Sequence, residues 1–321
     1  MNQNSDAHDL ISEMIKNVET VVIGKHTAVK LITLAMLAGG HVLIEDIPGV
    51  GKTRLVRAMA RSIGAKFKRI QFTPDLLPSD ITGLSIYNQK SGEFEFRPGP
   101  LMGNIILADE INRTSPKTQS ALLEGMAEGR ITVDGVTRQL PELFFVMATQ
   151  NPIEYEGTYS LPEAQLDRFL LKLSLGYPSR ENELELLNRM SGKDPLEDLR
   201  PVLSVEDILE MRREAQQVYV SDGIKNYLLD IITATRNHPM IYLGVSPRGT
   251  LSMISAIRAR AFIEQRDFVV PDDVKAVAPY VLSHRLVMKP EAAYSSLTAE
   301  TVMHEILDHV KVPVRDKESV K

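Results

Sequence analysis

A chain of 321 residues, 43% hydrophobic and 25% charged, has the composition of an ordinary globular protein of roughly two domains. No apolar run reaches about 18 residues, so no membrane span is expected, and residues 1–19 are too polar for a signal peptide. The 37 basic and 42 acidic residues leave a net charge of −5, which argues against a main role in holding nucleic acid; the absence of cysteine excludes disulfides and thiolate metal sites and suits the cytoplasm.

Leu10, Ile11, Met14, Ile15 and Val18 recur at helical spacing. Val21-Val22-Ile23-Gly24 follows, then a helix over residues 25–37 closed by Gly39-Gly40. Val22 and Ile23 are candidates either to cover an adenine ring or to pack in the core. His41-Val42-Leu43-Ile44 reads as a short buried strand. Residues 45–53 are Glu-Asp-Ile-Pro-Gly-Val-Gly-Lys-Thr, and Leu55, Met59 and Ile63 then mark a helix. Strand, glycine loop and helix are the setting of a phosphate-binding loop. Pro48, Gly49, Val50 and Gly51 would wrap the anion closely, because glycine has no Cβ to obstruct it. Amides of the loop and helix N-terminus favour phosphate oxygens. Lys52 would reach the β- and γ-phosphates, the Thr53 hydroxyl would ligate Mg2+, and Leu55 completes the candidate nucleotide contacts. The pattern G-x-x-x-x-G-K-[ST] wants glycine at position 46; this chain has Asp46, whose side chain must point away from the phosphates.

Residues 66–72 alternate as a strand. Residues 73–103 carry Pro74, Pro78, Pro98 and Pro100 with Gly83, Gly92, Gly99 and Gly103, and read as a surface insertion: a short helix and a hairpin of strands 84–87 and 93–97. An insertion this long in a compact domain points to function. Residues 104–110 form a buried strand ending in Asp109 and Glu110, which alternation turns to different sides. Asp109 is assigned to the Mg2+ water shell and Glu110 to polarising the attacking water. That role needs a base close to the γ-phosphate, as on a strand beside the phosphate-loop strand. A helix over 116–127 begins with proline, and residues 130–140 form a hairpin about Asp134-Gly135. A strand over 143–148 ends in Thr149-Gln150-Asn151-Pro152. Parallel strands carry ligands at their C-terminal ends, so Asn151 either bonds the γ-phosphate or attacking water, or forms a turn before proline. A helix over 161–169 and a strand over 170–175 follow. Arg168, beside Asp167, makes a surface salt bridge or reaches a neighbouring subunit's ATP, where it would stabilise charge on the transferred phosphoryl group.

From residue 177 glycine thins out. Helices are expected over 181–190, 205–217, 221–237, 247–265, 271–283 and 298–309. The expected domains are therefore 1–176, α/β, and 177–321, all-α. Ser246 caps a helix with Pro247 at its first position. Arg248 then opposes the helix dipole, which suggests an external anion, the γ-phosphate. His26, His41, His238, His284, His304 and His309 show no ligand spacing with carboxylates, so no metal beyond Mg2+ is expected.

In this order the pieces resemble the AAA+ ATPases, and among them the MoxR family. The specific runs are 45–53, 73–83, 108–113, 117–124, 148–157, 161–169 and 246–249, within a match over about 21–286. The resemblance implies an α/β P-loop NTPase domain with a parallel sheet and inserted hairpins, then a smaller all-α lid, assembled as a homo-oligomeric ring, usually a hexamer. It implies that Asn151 is sensor 1, Arg168 the arginine finger and Arg248 sensor 2, and that Asp46 is tolerated. It implies a chaperone-like ATPase that helps assemble or activate partner complexes, often with a protein carrying a von Willebrand factor A domain; no such domain is read in this chain. A nucleic-acid motor or loader is the alternative, with Lys66, Lys68 and Arg69 the only tight basic cluster. A nucleotide-gated scaffold is a third reading, opposed by the presence of Glu110, Asn151, Arg168 and Arg248.

Overall fold

Five short strands pair, all in parallel, into one sheet in the computed structural model, which describes residues 3–151, 159–189 and 194–313. In chain order the strands are β1 (Val42–Glu45), β2 (Phe67–Gln71), β3 (Ile105–Asp109), β4 (Phe145–Gln150) and β5 (Leu171–Leu173). In space the order is β2-β3-β4-β1-β5. Helices cover the sheet, so β3 is buried along its whole length and reads as an unbroken apolar run rather than an alternating one. Strand β4 thus separates β1 from β3, and the expectation that β3 lies directly beside the phosphate-loop strand is corrected. Sequence order does not dictate spatial order in a doubly wound sheet.

Helices Gln3–Glu19 and His26–Leu37 precede the sheet, and Lys52–Ser62 and Pro116–Glu128 connect its strands. The insertion contains a short helix, Pro78–Thr82, and a hairpin pairing Gly83–Asn88 with Glu93–Pro98. At its base Phe96 packs against the core, and the Arg138 guanidinium lies 4.0 Å from its ring centre. Near its tip the Tyr87 and Phe94 rings sit 5.4 Å apart, with Phe94 74% exposed. Arg138 belongs to the second hairpin, Arg130–Val133 with Val136–Gln139. Asp134 (φ 52°) and Gly135 (φ 77°) both adopt left-handed conformations there, as a two-residue hairpin turn demands.

The expected helix over 161–169 is reduced to Glu163–Leu166, and the strand after it to Leu171–Leu173. The strand ends early because the Leu175 and Gly176 amides bond the Asp46 carboxylate, so they cannot continue the ladder. Pro152, Gly157 and Met190, which belong to expected motifs or helices, lie outside the described residues.

The chain divides into two compact units, Met1–Met211 and Arg212–Lys321. Within the first, Arg54 bonds Asp194 at 2.6 Å and the Val202 amide donates to Ser62 at 2.9 Å, which fastens the chain after residue 193 to the phosphate-loop helix. The second unit is built on helices Asp222–Asn237, Pro247–Ile263, Pro271–Leu282 and Ala299–His309. It adds a ribbon absent from the sequence reading, Ile241–Leu243 antiparallel to Val287–Met288, whose strands are too short to leave a periodicity. No described helix is long and apolar enough to cross a membrane.

The second unit is pinned by Asp273, whose side chain is only 2% exposed. Its carboxylate accepts two hydrogen bonds from Arg266 at 2.7 and 2.6 Å and one from the Val270 amide at 2.9 Å. Hydrogen bonding to Asp273 holds the Arg266 guanidinium more firmly in its charged form. A raised pKa stabilises the fold at every pH below the group's ordinary value, so this contribution is fully present at neutral pH. Asp273→Ala strands the buried end of the network and is expected to cost about 3 kcal/mol. Urea unfolding should show the loss equally at pH 6 and pH 8; an unchanged midpoint would contradict it.

Candidate active site

Parallel pairing brings the ends of β3, β4 and β1 level. Glu45 pairs with Gln150, and Ala108 with Ala148. The polar residues that follow these strands therefore gather along one edge of the sheet, the edge where such folds hold ligands.

Beyond β1 the chain turns through an exposed loop containing Pro48 and Gly49, with Val50 half-buried. Gly49 (φ 85°) and Gly51 (φ 92°) are left-handed, and a Cβ on either would meet no protein atom within 4 Å. The backbone angle is thus the reason for glycine, and the space over both residues is open to an anion. Gly51 caps helix Lys52–Ser62 without any side-chain hydrogen bond, so the first-turn amides are left to an outside acceptor. Lys52 folds back over the loop and donates to the Asp46 carbonyl at 2.9 Å. Thr53 is half-buried beside it. Leu55 is fully buried and its amide donates to the Gly51 carbonyl at 3.0 Å, so its side chain serves the core. Asp46 is turned away from the loop, as its position in the pattern requires, and accepts the amides of Leu175 and Gly176.

At the end of β3, Asp109 Oδ1 accepts from Thr149 Oγ1 at 2.7 Å and Oδ2 from Arg69 at 2.6 Å. The Glu110 amide donates to the same Thr149 hydroxyl at 2.9 Å. Glu110 itself is left-handed (φ 59°, ψ 49°), a conformation costing about 1 kcal/mol. This turn, rather than strand alternation, sets the direction of its side chain, which corrects the sequence reading. Gln71 Nε2 donates to Glu110 Oε2 at 2.7 Å, and Arg113 to the same oxygen at 3.2 Å. The turn after Glu110 is fixed from below by buried Gln119, which donates to the Ile111 and Tyr159 carbonyls at 3.1 and 3.0 Å.

With β4 between them, β1 and β3 stand about 10 Å apart, two inter-strand spacings. Asn151 directly follows β4, in that gap; it is buried, and its carbonyl accepts from Asn112 at 3.4 Å. Lys52, Asp109, Glu110 and Asn151 are therefore brought to one edge. Arg168 is not among them. It precedes β5, on the side where the strands begin, and donates to the Leu123 carbonyl. Arg248 lies exposed in the first turn of helix Pro247–Ile263 in the second unit, where Ser246 caps the Gly249 amide at 3.1 Å. Val22 is buried and Ile23 half-buried in the turn before helix His26–Leu37, and Lys25 of that turn donates to three carbonyls of residues 175–177.

Among the described residues no group of three His, Asp or Glu side chains is placed to hold a metal. A hydroxyl, one carboxylate and phosphate oxygens nevertheless suit Mg2+, which retains water ligands. Thr53 and Asp109 would hold it, Asp109 with Thr149 and Arg69 already bonded to its two oxygens. Reasoning from sequence missed Gln71, Arg113, Arg69 and Thr149. Gln71 pairs in register with Asp109, a relation that appears only once β2 is known to neighbour β3.

Residues 41–171 match the ATPase family associated with various cellular activities (AAA), and residues 233–306 the AAA lid domain. The chain is 56% identical to the uncharacterized protein YeaC of Bacillus subtilis (strain 168), over 98% of both chains. It is 42% identical to Chaperone MoxR1 of Mycobacterium tuberculosis, over 96% of this chain and 84% of that protein. A crystal structure of a candidate ATPase from Cytophaga hutchinsonii superposes with a TM-score of 0.91 at 39% identity, covering 97% of each chain.

Lys52 is the cation that lies over the loop, on the Asp46 carbonyl. Lys52→Ala is expected to weaken MgATP binding about 10- to 100-fold, the loss of a charge-assisted contact. Titration with a fluorescent ATP analogue measures this, and unchanged affinity would contradict the assignment.

Proposed function

Because the chain belongs to the MoxR family of AAA+ ATPases, we propose that it hydrolyses MgATP to ADP and phosphate in a ring of identical subunits, remodelling, assembling or activating a partner protein complex with that cycle. The observation that carries the ATPase reading is Glu110, held by Gln71 and Arg113, two strands across from the Lys52 loop. Glycine-loop amides and Lys52 would bind the phosphates, with Thr53 and Asp109 holding Mg2+, which lowers the charge that an attacking nucleophile meets. Gln71 and Arg113 both occupy Glu110 Oε2, and Oε1 is then the oxygen for the attacking water's proton. Asn151, in the gap, would orient that water or the γ-phosphate. Arg248 would contact the γ-phosphate as sensor 2, and Val22 and Ile23 would border the adenine.

Arg168 precedes β5 at the edge where the strands begin, opposite the edge that carries Lys52, and its guanidinium donates to the Leu123 carbonyl. This supports a role in trans, across a head-to-tail interface that closes into a ring, of six subunits by the family pattern. The name of the mycobacterial relative, a chaperone, supports the remodelling role; a partner with a von Willebrand factor A domain and a cytoplasmic setting complete the proposal. A motor on nucleic acid is the second reading. Against it stand the net charge of −5 and the engagement of Arg69, from the one basic cluster, with Asp109. The exposed Tyr87–Phe94 pair lies beside Glu93 and Glu95, a surface better suited to protein than to a phosphate backbone.

Glu110→Gln is expected to retain ATP and to slow its hydrolysis about 100- to 10,000-fold, the contribution of a well-placed base. Near-normal phosphate release would move the base elsewhere, to Asp109 first. Arg168→Ala should bind ATP and be almost inactive, yet regain turnover when mixed with Lys52→Ala, since a mixed interface joins an intact arginine to an intact loop. Verified co-assembly of the two variants without any gain in activity would overturn the trans role.

A further inference from the structure

Asp46 stands where the phosphate-loop pattern has glycine, yet its φ is not positive, so nothing in its backbone demands glycine. Its buried carboxylate faces the segment leaving β5. Oδ2 accepts the Leu175 amide at 2.6 Å, the Gly176 amide at 2.8 Å and the Ser174 hydroxyl at 3.2 Å. Oδ1 accepts the Ile47 amide at 2.9 Å. From the other side the buried Lys25 ammonium donates to the Leu175, Gly176 and Tyr177 carbonyls at 2.7, 3.0 and 3.2 Å. Residues Leu175 and Gly176 are thus held with their N–H groups on a buried anion and their carbonyls on a buried cation. Charge-assisted hydrogen bonds of this kind are the strong ones. The main chain of Asp46 is equally engaged: its carbonyl accepts from Lys52 at 2.9 Å, and its amide donates to Gln150 at the end of β4 at 3.1 Å. One residue therefore joins the phosphate-binding lysine, the central sheet and the segment 174–177.

We infer that Asp46 is a positioning residue that makes the phosphate loop and segment 174–177 open and close as one unit, so that a phosphate chain bound at the loop tightens the segment through which the polypeptide runs on to its later helices. The inference rests on the nucleotide-site reading above. Its physical basis is linkage: a ligand that binds only the closed loop suppresses every opening that requires the loop to open, and Asp46 extends that opening to residues 174–177.

The test is amide hydrogen exchange of residues 174–177 in the full chain, without ligand and with magnesium tripolyphosphate, which loads the loop but has no base or sugar to shield the segment directly. In the wild type, ligand at 100 times its Kd should slow exchange at Leu175 and Gly176 by up to about 100-fold. In Asp46→Ala the same amides should exchange at least about tenfold faster without ligand, as a lost charge-assisted bond implies. Tripolyphosphate should still bind to this variant but no longer slow them. Asp46→Asn keeps the shape and one acceptor oxygen, and carries the same comparison if the alanine variant does not fold. Turnover should separate from binding: kcat for MgATP falls while nucleotide affinity stays within about threefold, a split that general loss of fold does not produce. Ligand protection persisting in Asp46→Ala would overturn the inference alone. Failure of the wild type to bind either tripolyphosphate or ATP would overturn the nucleotide reading with it.

Discussion

The parallel register of β3, β4 and β1 is the constraint on which the rest of the site depends. Ala108 opposite Ala148 and Glu45 opposite Gln150 bring three strands to an end at one level, and each then delivers a different chemistry to that edge. From β1 comes a glycine loop and Lys52, from β3 two carboxylates, from β4 Thr149 and Asn151. A shift of one residue in any of these pairings would exchange the faces of a strand and carry its polar end out of level with its neighbours. The fully buried apolar strands enforce the register, so the site inherits its geometry from the core.

Within that frame the polar groups hold one another. Thr149 is the link between the carboxylates, giving its proton to Asp109 and accepting the Glu110 amide. Arg69 bonds both Asp109 and Gln71, and Gln71 bonds Glu110. A carboxylate held this way is oriented before any substrate arrives, and orientation is what a general base needs most. The left-handed Glu110 fits this view: a strained residue at a strand end, fixed by a hydroxyl above and by the Gln119-braced turn below.

The local features were legible in the sequence because their causes are local. Glycines at 49 and 51, the Asp134-Gly135 turn, and Ser246 with Pro247 at a helix start are each dictated by backbone angles within a few residues. The direction of Asp46 was also legible, since a side chain pointing into the loop would block phosphate. Strand order was not legible, because β4 enters between β1 and β3 from about forty residues further along the chain than β3. For the same reason nothing in the sequence marks Gln71 or Lys25: their partners, Glu110 and residues 175–177, are distant in sequence. The shortened β5 is a further case. Its ladder is cut by a carboxylate 129 residues away from Leu175, which no propensity records.

The central claim is that these strand ends form one nucleotide site that hydrolyses what it binds. Equilibrium binding of MgATP to the purified wild-type chain, with phosphate release followed on the same sample, tests it most directly. The account predicts one ATP bound per chain and phosphate released from the bound complex, at a specific rate that rises with protein concentration as subunits meet. A chain that binds no ATP, or binds it and releases no phosphate at any concentration, would contradict it.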